Sequence, residues 1–252
     1  MRIGLCTGIE NLELTGRLGF DYIECAASAI ASLGDEDFEK ALAAVKKSPV
    51  SVERVNVLFP AGIKLLGPEA NQNATDAYLE RAFTRAASLG AKIAVFGSGK
   101  ARSLPDGIPF GQAYRELVAA VKRIGDAAGR HGLRIAIEPL NREESNCINS
   151  LKEGAMLEAD VDSPSVGLLA DLYHMLMENE NLENIISVKS LIHTHVALLE
   201  GRAFPTEATE ELKSFFNALR SINYSGTMSI EGRTDNLEQD AAQSLRVLRS
   251  LG

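Results

Sequence analysis

The stretch Ile135-Ala-Ile-Glu138-Pro139 shows the pattern that decides the fold of this chain. An apolar run typical of a buried parallel strand ends at a carboxylate, and burying an unpaired carboxylate there is costly. Three later segments also join an apolar run to acids or histidines: Leu168-Leu-Ala-Asp171-Leu-Tyr-His174, Leu191-Ile-His193-Thr-His195 and Met228-Ser-Ile-Glu231. The four segments predict that their polar groups converge, and a divalent metal ion is the simplest group that would compensate them.

Segments typical of strands and helices alternate along the chain. The predicted strands are Arg2–Thr7, Asp21–Ala26, Val52–Phe59, Lys92–Gly97, Leu133–Pro139, Val166–Asp171, Leu191–Val196 and Thr227–Glu231. The predicted helices are Glu10–Leu18, Asp35–Lys47, Asp76–Leu89, Gly111–Gly129, Ser150–Ala159, Asn181–Val188, Thr209–Ser221 and Leu237–Leu251. Strand–helix units in series without a Pro- or Ser-rich linker predict a single α/β domain over residues 1–252, a (β/α)8 TIM barrel. A doubly wound open sheet is the alternative, but it usually has fewer strands.

The alternation of side chains along each strand predicts which face carries the polar groups. Glu138 shares a face with Ala136, whereas Ile135 and Ile137 face the other way. The corresponding pairs on the last two strands are His193 with His195 and Ser229 with Glu231. Because the residues that share a face with the acids and histidines are small or polar, we expect that face to point into the barrel.

The composition and charge of the chain disfavour a nucleic-acid-binding or membrane-spanning protein. The net charge is −8 with Lys and Arg dispersed, which disfavours a nucleic-acid partner, because such partners usually require a basic patch. No apolar stretch approaches the ~20 residues of a membrane span. Three cysteines without CxxC spacing, and no secretory segment before Met1, favour a cytoplasmic location.

Three carboxylates and one imidazole form a ligand set with known metal preferences. Oxygen-rich sets suit Mn²⁺, Co²⁺ or Mg²⁺, and Zn²⁺ is possible, although structural zinc sites favour thiolates. Such a metal can polarise a carbonyl or hydroxyl of a substrate. A carboxylate beside it can then take a proton from the neighbouring carbon. The set therefore predicts a metal-dependent enzyme acting on a small hydroxy-carbonyl compound.

The order and spacing of four motifs resemble a known superfamily. The motifs are Glu138-Pro-Leu-Asn-Arg-Glu-Glu144, Asp171-Leu-Tyr-His174, His193-Thr-His195 and Gly226-Thr-Met-Ser-Ile-Glu231. Together they resemble the xylose isomerase-like TIM barrels, with the ketose 3-epimerases and their hydroxypyruvate isomerase relatives as the most similar branch. The resemblance implies a sugar isomerase or epimerase with a small-molecule substrate, and a homodimer or homotetramer.

The resemblance also implies roles for individual residues. One divalent metal ion would be bound by Glu138, Asp171, His195 and Glu231. Of these, Glu138 and Glu231 would flank the substrate carbon on opposite faces, one removing a proton and the other returning it, through an enediolate.

The remaining roles concern the binding of substrate. Glu144 and His174 match the pair that holds the carbonyl end of the substrate. The family places an arginine six residues after the metal histidine, where this chain has Gly201, so the role passes to Arg202 one residue later. His193 lies deeper in its strand and is a candidate either for a substrate contact or for a buried supporting role.

Other functions fit parts of the pattern. A dehydratase of the inosose or dehydroshikimate type would use the same scaffold and the same first proton transfer. Endonuclease IV shares the barrel but requires a three-zinc cluster with more histidines than the four of this chain, which disfavours DNA repair. A non-catalytic sugar-binding barrel is the third alternative. Gly97-Ser-Gly-Lys100, with Arg102 nearby, is better interpreted as an ordinary loop than as a phosphate site.

Overall fold

A computed structural model describes all 252 residues and contains a closed barrel of eight parallel strands. Each strand pairs with the next one in sequence, and β8 pairs with β1. The strands are β1 (Arg2–Cys6), β2 (Tyr22–Ala26), β3 (Val52–Asn56), β4 (Ile93–Phe96), β5 (Arg134–Ile137), β6 (Val166–Asp171), β7 (Leu191–Val196) and β8 (Thr227–Ile230). The predicted TIM barrel is confirmed, and closure of the sheet excludes the open-sheet alternative.

Helices follow the strands and surround the barrel. They are α1 (Leu12–Leu18), α2 (Ala27–Ser32), α3 (Asp35–Lys47), α4 (Gln72–Leu89), α5 (Gly99–Arg102), α6 (Phe110–Arg130), α7 (Leu151–Val161), α8 (Leu172–Met177), α9 (Glu210–Ser221) and α10 (Leu237–Leu251). Three 3-10 turns occupy Ile9–Asn11, Leu182–Ser187 and Glu200–Arg202. None of the helices has both the length and the apolar character needed to cross a membrane.

Alternate residues of the strands pack on opposite sides of the sheet, as expected. A small cluster inside the barrel contains Ile93, Val95, Ala136 and Leu169. Their neighbours along the strands belong to the main core between sheet and helices; these include Ala94, Phe96, Ile135, Ile137, Leu168 and Ala170. Glu138 lies two residues beyond Ala136, and Asp171 two beyond Leu169. The polar groups therefore lie at the carboxyl end of the barrel interior.

Several predicted boundaries were wrong for local reasons. Strand β3 ends at Asn56 because Val57 adopts φ 43°, outside the extended region. Helix α4 begins four residues earlier than predicted, since the side chain of Asn71 accepts a hydrogen bond from the backbone N–H of Ala74. The predicted helix Asn181–Val188 is a 3-10 turn, in a segment rich in β-branched residues. Helices α2, α5 and α8 were not predicted.

Candidate active site

Strand register aligns the predicted metal ligands. Asp171 pairs with His195 across β6 and β7, and His195 pairs with Ser229 across β7 and β8. Glu231 follows two residues after Ser229 and therefore shares its face. Glu138 follows β5 in the same way. The structure thus brings Glu138, Asp171, His195 and Glu231 together.

The four side chains form a compact cluster. One ligand atom from each lies within 4.8 Å of every other, as a shared metal ion requires. Nδ1 of His195 lies 3.2 Å from Oε1 of Glu138 and 3.4 Å from Oε2 of Glu231. Side-chain exposure is 0% for His195 and 21% for Glu231, so the cluster opens to the mouth on the β8 side. At these distances, three carboxylate oxygens and one imidazole nitrogen could bind the same metal ion.

The two carboxylate oxygens of Asp171 have different surroundings. Oδ1 accepts a hydrogen bond of 2.8 Å from the backbone N–H of Tyr173 and so caps helix α8. Oδ2 is buried and has no hydrogen-bond partner. A buried carboxylate oxygen without a hydrogen bond is costly. Oδ2 lies 3.6 Å from a guanidinium nitrogen of Arg202, and the cap on Oδ1 leaves it available for a further contact.

His174 presents a second unpartnered atom beside Asp171. Its Nδ1 accepts a hydrogen bond from the backbone N–H of Asn141 at 3.2 Å, so the proton of the neutral ring lies on Nε2. That Nε2 is buried without a partner and lies 3.7 Å from Oδ2 of Asp171. Nε2–H of His174 is a hydrogen-bond donor and Oδ2 of Asp171 an acceptor, and both therefore face the same part of the site.

Arg202 reaches the cluster despite its shifted position in sequence. Gly201 and Arg202 both adopt left-handed backbone angles, with φ 66° and 51°, and this tight turn absorbs the extra residue. The guanidinium donates to Oε2 of Glu231 at 2.6 Å and lies 3.3 Å from Oε1 of Glu144. It also stacks over the ring of Tyr173, at 4.7 Å from the centroid. Arg202 and Glu144 therefore line the mouth beside the cluster.

His193, predicted either as a substrate contact or as a buried supporting residue, lies inside the barrel. Its side chain is 0% exposed, and both ring nitrogens have partners inside the protein. Nε2 lies 2.8 Å from Oε2 of Glu24, and Nδ1 lies 2.8 Å from the hydroxyl of Thr227. The geometry therefore fits the buried supporting role.

Sequence analysis missed two polar residues that contact the cluster. Glu24 on β2 is 0% exposed, and its Oε1 lies 3.0 Å from Nε2 of His195. Asn56 at the end of β3 donates to Oε1 of Glu231 at 2.8 Å. Glu24 interrupts the otherwise apolar strand β2, and this signal could have identified it. Strand β3 also contains Glu53 and Arg54, so Asn56 gives no such signal in the sequence.

The two glutamates at the cluster have pKa values shifted in opposite directions. Burial raises the pKa of Glu138, and the nearby charge of Glu231 adds to the effect. Burial also opposes ionisation of Glu231, but the charges of His195 and Arg202 outweigh it and lower its pKa. Carboxyl groups with divergent pKa values are typical of an acid and base that work as a pair.

The Gly97–Arg102 segment, interpreted from the sequence as an ordinary loop, ends in the short helix α5 and contacts Glu138. Arg102 is 0% exposed and donates to the carbonyl oxygens of Phe96 at 2.9 Å and Glu138 at 2.7 Å. Gly97 lies against the carboxylate of Glu138, because a Cβ built at Gly97 would meet Oε2 at 2.1 Å. The segment therefore holds Glu138 in place.

A cavity of 460 Å³ adjoins the cluster on the side of β1 and β2. Glu24 and Asn56, which contact His195 and Glu231, line one part of it, and Cys6 lies at the end of β1 beside them. Its remaining walls are mainly apolar and include Ile9, Ala29, Ile30 and Leu33. Volumes of ~300–1,000 Å³ are typical of sites for small molecules.

The residues of the cluster fit a divalent metal ion. Oδ2 of Asp171, which has no hydrogen bond, would bind the cation, and the mutual repulsion of three carboxylates would be offset. The oxygen-rich set with a single imidazole suits a hard or borderline cation rather than a structural zinc ion. Cys6 lies in a second group with Glu24 and His195, but burial raises the pKa of its thiol well above the usual range, which disfavours a thiolate ligand.

Comparison with known proteins identifies relatives across almost the whole chain. A family model described as xylose isomerase-like TIM barrel matches residues 12–251. D-psicose 3-epimerase of Agrobacterium fabrum is 29% identical over 233 residues, covering 87% of this chain and 77% of the relative. 3-Dehydro-D-guloside 4-epimerase of Escherichia coli is 25% identical over 245 residues, covering 94% and 91%.

Solved structures share the fold. An apo structure of 3-keto-D-glucoside 4-epimerase from Escherichia coli has a TM-score of 0.85 at 22% identity, covering 99% of both chains. D-psicose 3-epimerase with D-tagatose, from Clostridium cellulolyticum H10, has a TM-score of 0.86 at 20% identity, covering 100% of this chain and 99% of the other. These likenesses support the barrel architecture.

Proposed function

The chain belongs to the xylose isomerase-like TIM barrel family, and on that premise we propose that it is a divalent-metal-dependent sugar epimerase. The relatives named as ketose 3-epimerases and as a 3-dehydro-guloside 4-epimerase share one chemistry, since each inverts a carbon next to a keto group. The observation that carries the proposal is the pair Glu138 and Glu231, both close to Nδ1 of His195. Inversion needs one proton acceptor and one donor on opposite faces of a carbon, and two carboxylates supply them.

Glu138 and Glu231 act as the acid/base pair in this proposal. Glu231, whose pKa is lowered, is ionised at neutral pH and can accept a proton, whereas Glu138, whose pKa is raised, retains a proton more readily. In the reverse direction their roles exchange. The two residues enter from different strand ends, so a sugar carbon between them is accessible from both sides.

Glu138, Asp171, His195 and Glu231 would hold the metal ion. When bound, a Mn²⁺, Co²⁺ or Mg²⁺ ion supplies electrophilic polarisation of the keto oxygen, which acidifies the neighbouring C–H. The carboxylates position and transfer the proton, and the buried surroundings of His195 exclude water from that side.

The residues around the cluster orient the sugar. His174 offers its Nε2–H, and Arg202 offers N–H groups to substrate oxygens next to the keto group. Glu144 at the mouth accepts from a hydroxyl. The cavity between Ile9, Leu33 and their neighbours takes the part of the sugar that does not react. The homodimer or homotetramer and the cytoplasmic location stay predictions.

Turnover in heavy water tests the proposal. The protein is loaded with Mn²⁺ and incubated in D₂O with D-psicose, L-ribulose and a 3-keto-glucoside. We expect an epimer of at least one sugar with deuterium at the carbon next to the keto group. An enone product would instead indicate a dehydratase. A folded, metal-loaded protein that exchanges no proton with any of the sugars would contradict the proposal.

Gly97→Ala should impair the site while leaving the fold intact. The added methyl group would displace the carboxylate of Glu138, since its Cβ would lie 2.1 Å from Oε2. We expect kcat/KM to fall by about 10²-fold, because small displacements of catalytic groups have effects of that size. Gly62→Ala is the matched control, since no atom lies within 4 Å of its Cβ position. Equal kinetics for the two variants would show that the position of this carboxylate is unimportant.

A further inference from the structure

Glu24 is the one buried carboxylate at the site that no proposed catalytic or metal-binding role uses. It lies on β2, paired in register with Cys6 and Arg54, and its side chain is 0% exposed. Three donors surround it. Oε2 accepts from the hydroxyl of Ser229 at 2.6 Å and faces Nε2 of His193 at 2.8 Å. Oε1 faces Nε2 of His195 at 3.0 Å.

The proton of His193 can be assigned from its neighbours. The carbonyl oxygen of Thr227 already accepts hydrogen bonds from the hydroxyls of Tyr224 and Thr194, so it needs no further donor. The hydroxyl oxygen of Thr227 accepts from Nε of Arg54, which leaves its hydrogen for Nδ1 of His193. Nδ1 is therefore the acceptor of this ring, and Nε2 carries the proton toward Glu24.

The same logic applies to His195, whose two nitrogens face different partners. Glu24 has only acceptor oxygens, so Nε2 of His195 carries a proton toward Oε1. Nδ1 faces Glu138 and Glu231, two of the other candidate ligands, so a metal ion in the cluster would bind this nitrogen in place of its proton. On the basis of the proposed function, we infer that Glu24 is a positioning residue that makes Nδ1 of His195 the metal-binding nitrogen.

A carboxylate is better suited to this position than an amide. Glutamine at residue 24 would carry one oxygen and one NH₂ group. Ser229 and His193 both donate at the position of Oε2, so the amide oxygen would face them and the NH₂ group would face His195. Nε2 of His195 would then have to accept, and its proton would move to Nδ1, where it would block the metal ion.

The experiment compares wild type and Glu24→Gln with Zn²⁺ as a diamagnetic probe. Long-range ¹H–¹⁵N spectra of histidine-labelled protein report which nitrogen of His195 carries the proton and which binds the metal. In the Zn²⁺-loaded wild type we expect the proton on Nε2 and the metal on Nδ1. In Glu24→Gln we expect a 10–100-fold loss of Zn²⁺ affinity, the effect typical of outer-shell partners. Glu53→Gln is the matched control, because this carboxylate pairs with Arg2 at the opposite end of the barrel.

The outcomes separate this inference from the proposed function. Binding of Zn²⁺ to Nε2 of His195 in the wild type overturns the inference. This result needs only the wild type, so it can be obtained even if Glu24→Gln does not fold. Unchanged affinity in a folded Glu24→Gln variant also overturns the inference, while epimerisation by the wild type would leave the proposed function intact. A wild type that binds Zn²⁺ through Nδ1 but epimerises no sugar would contradict the proposed function and leave the role of Glu24 supported. No Zn²⁺ binding at His195 overturns both the inference and the proposed metal site.

Discussion

Glu231→Gln should reduce epimerisation by about 10²–10⁴-fold, the contribution typical of a positioned general acid or base. The amide cannot accept the proton of the sugar carbon at neutral pH. Its oxygen can still occupy the place of a ligand atom, so the loss should be measured at saturating Mn²⁺ with the metal content determined. Glu138→Gln should cause a loss of similar size, since the two carboxylates serve opposite faces.

The two variants should differ in the sugar they still label. In Glu231→Gln, Glu138 can still exchange a proton with the epimer whose C–H bond faces it, although inversion is blocked. Glu138→Gln should label the other epimer. Deuterium incorporation from D₂O, measured by NMR on each epimer separately, tests this pattern. Glu143→Gln is the control, because Glu143 is exposed and contacts Asn141 only through its backbone. Loss of label from both epimers in both variants would argue against a two-base mechanism.

The sequence was informative about the barrel because parallel strands leave a clear signal. Apolar runs that end in Glu138 or Asp171 predicted both the strands and the face that carries the ligands. Side-chain alternation then predicted that Ala136 lies inside the barrel and that Ile135 lies outside it, as the two core clusters confirm. The alternation of side chains along a strand involves residues that are close together in the sequence, so it can be recognised in a single sequence.

Other features depend on contacts that are distant in sequence. Glu24 lies 169 residues from His193 along the chain, and no local pattern indicates that the two meet. Arg202 reaches Glu231 only because it and the preceding glycine adopt left-handed angles in succession, a conformation rare for arginine. The second function of Asp171, as the cap of α8, was weighed as an alternative to ligation, whereas the structure accommodates both.

Arg102→Ala should lower the free energy of unfolding by roughly 3 kcal/mol, a large share of the 5–15 kcal/mol of a typical domain. The side chain is 0% exposed, and its guanidinium donates to two backbone carbonyl oxygens. Its removal would leave the carbonyl oxygens of Phe96 and Glu138 without these donors, at about 1–3 kcal/mol for each that water cannot reach. The cavity left by the missing side chain lowers the stability further. The variant no longer has to bury a cation, and this gain offsets part of the loss.

Arg102→Met separates these contributions, because methionine fills much of the space without donating hydrogen bonds. In urea unfolding, we expect Arg102→Met to recover part of the stability that Arg102→Ala loses. Its kcat/KM should still be lower than that of wild type, since the carbonyl of Glu138 stays without its donor. Lys100→Ala, on the same short helix, is exposed and should stay within about 0.5 kcal/mol of wild type. If Arg102→Met instead retained full activity, the position of Glu138 would depend on packing alone. The hydrogen bonds of Arg102 would then matter only for stability, and its buried cation would have no part in orienting the carboxylate of Glu138.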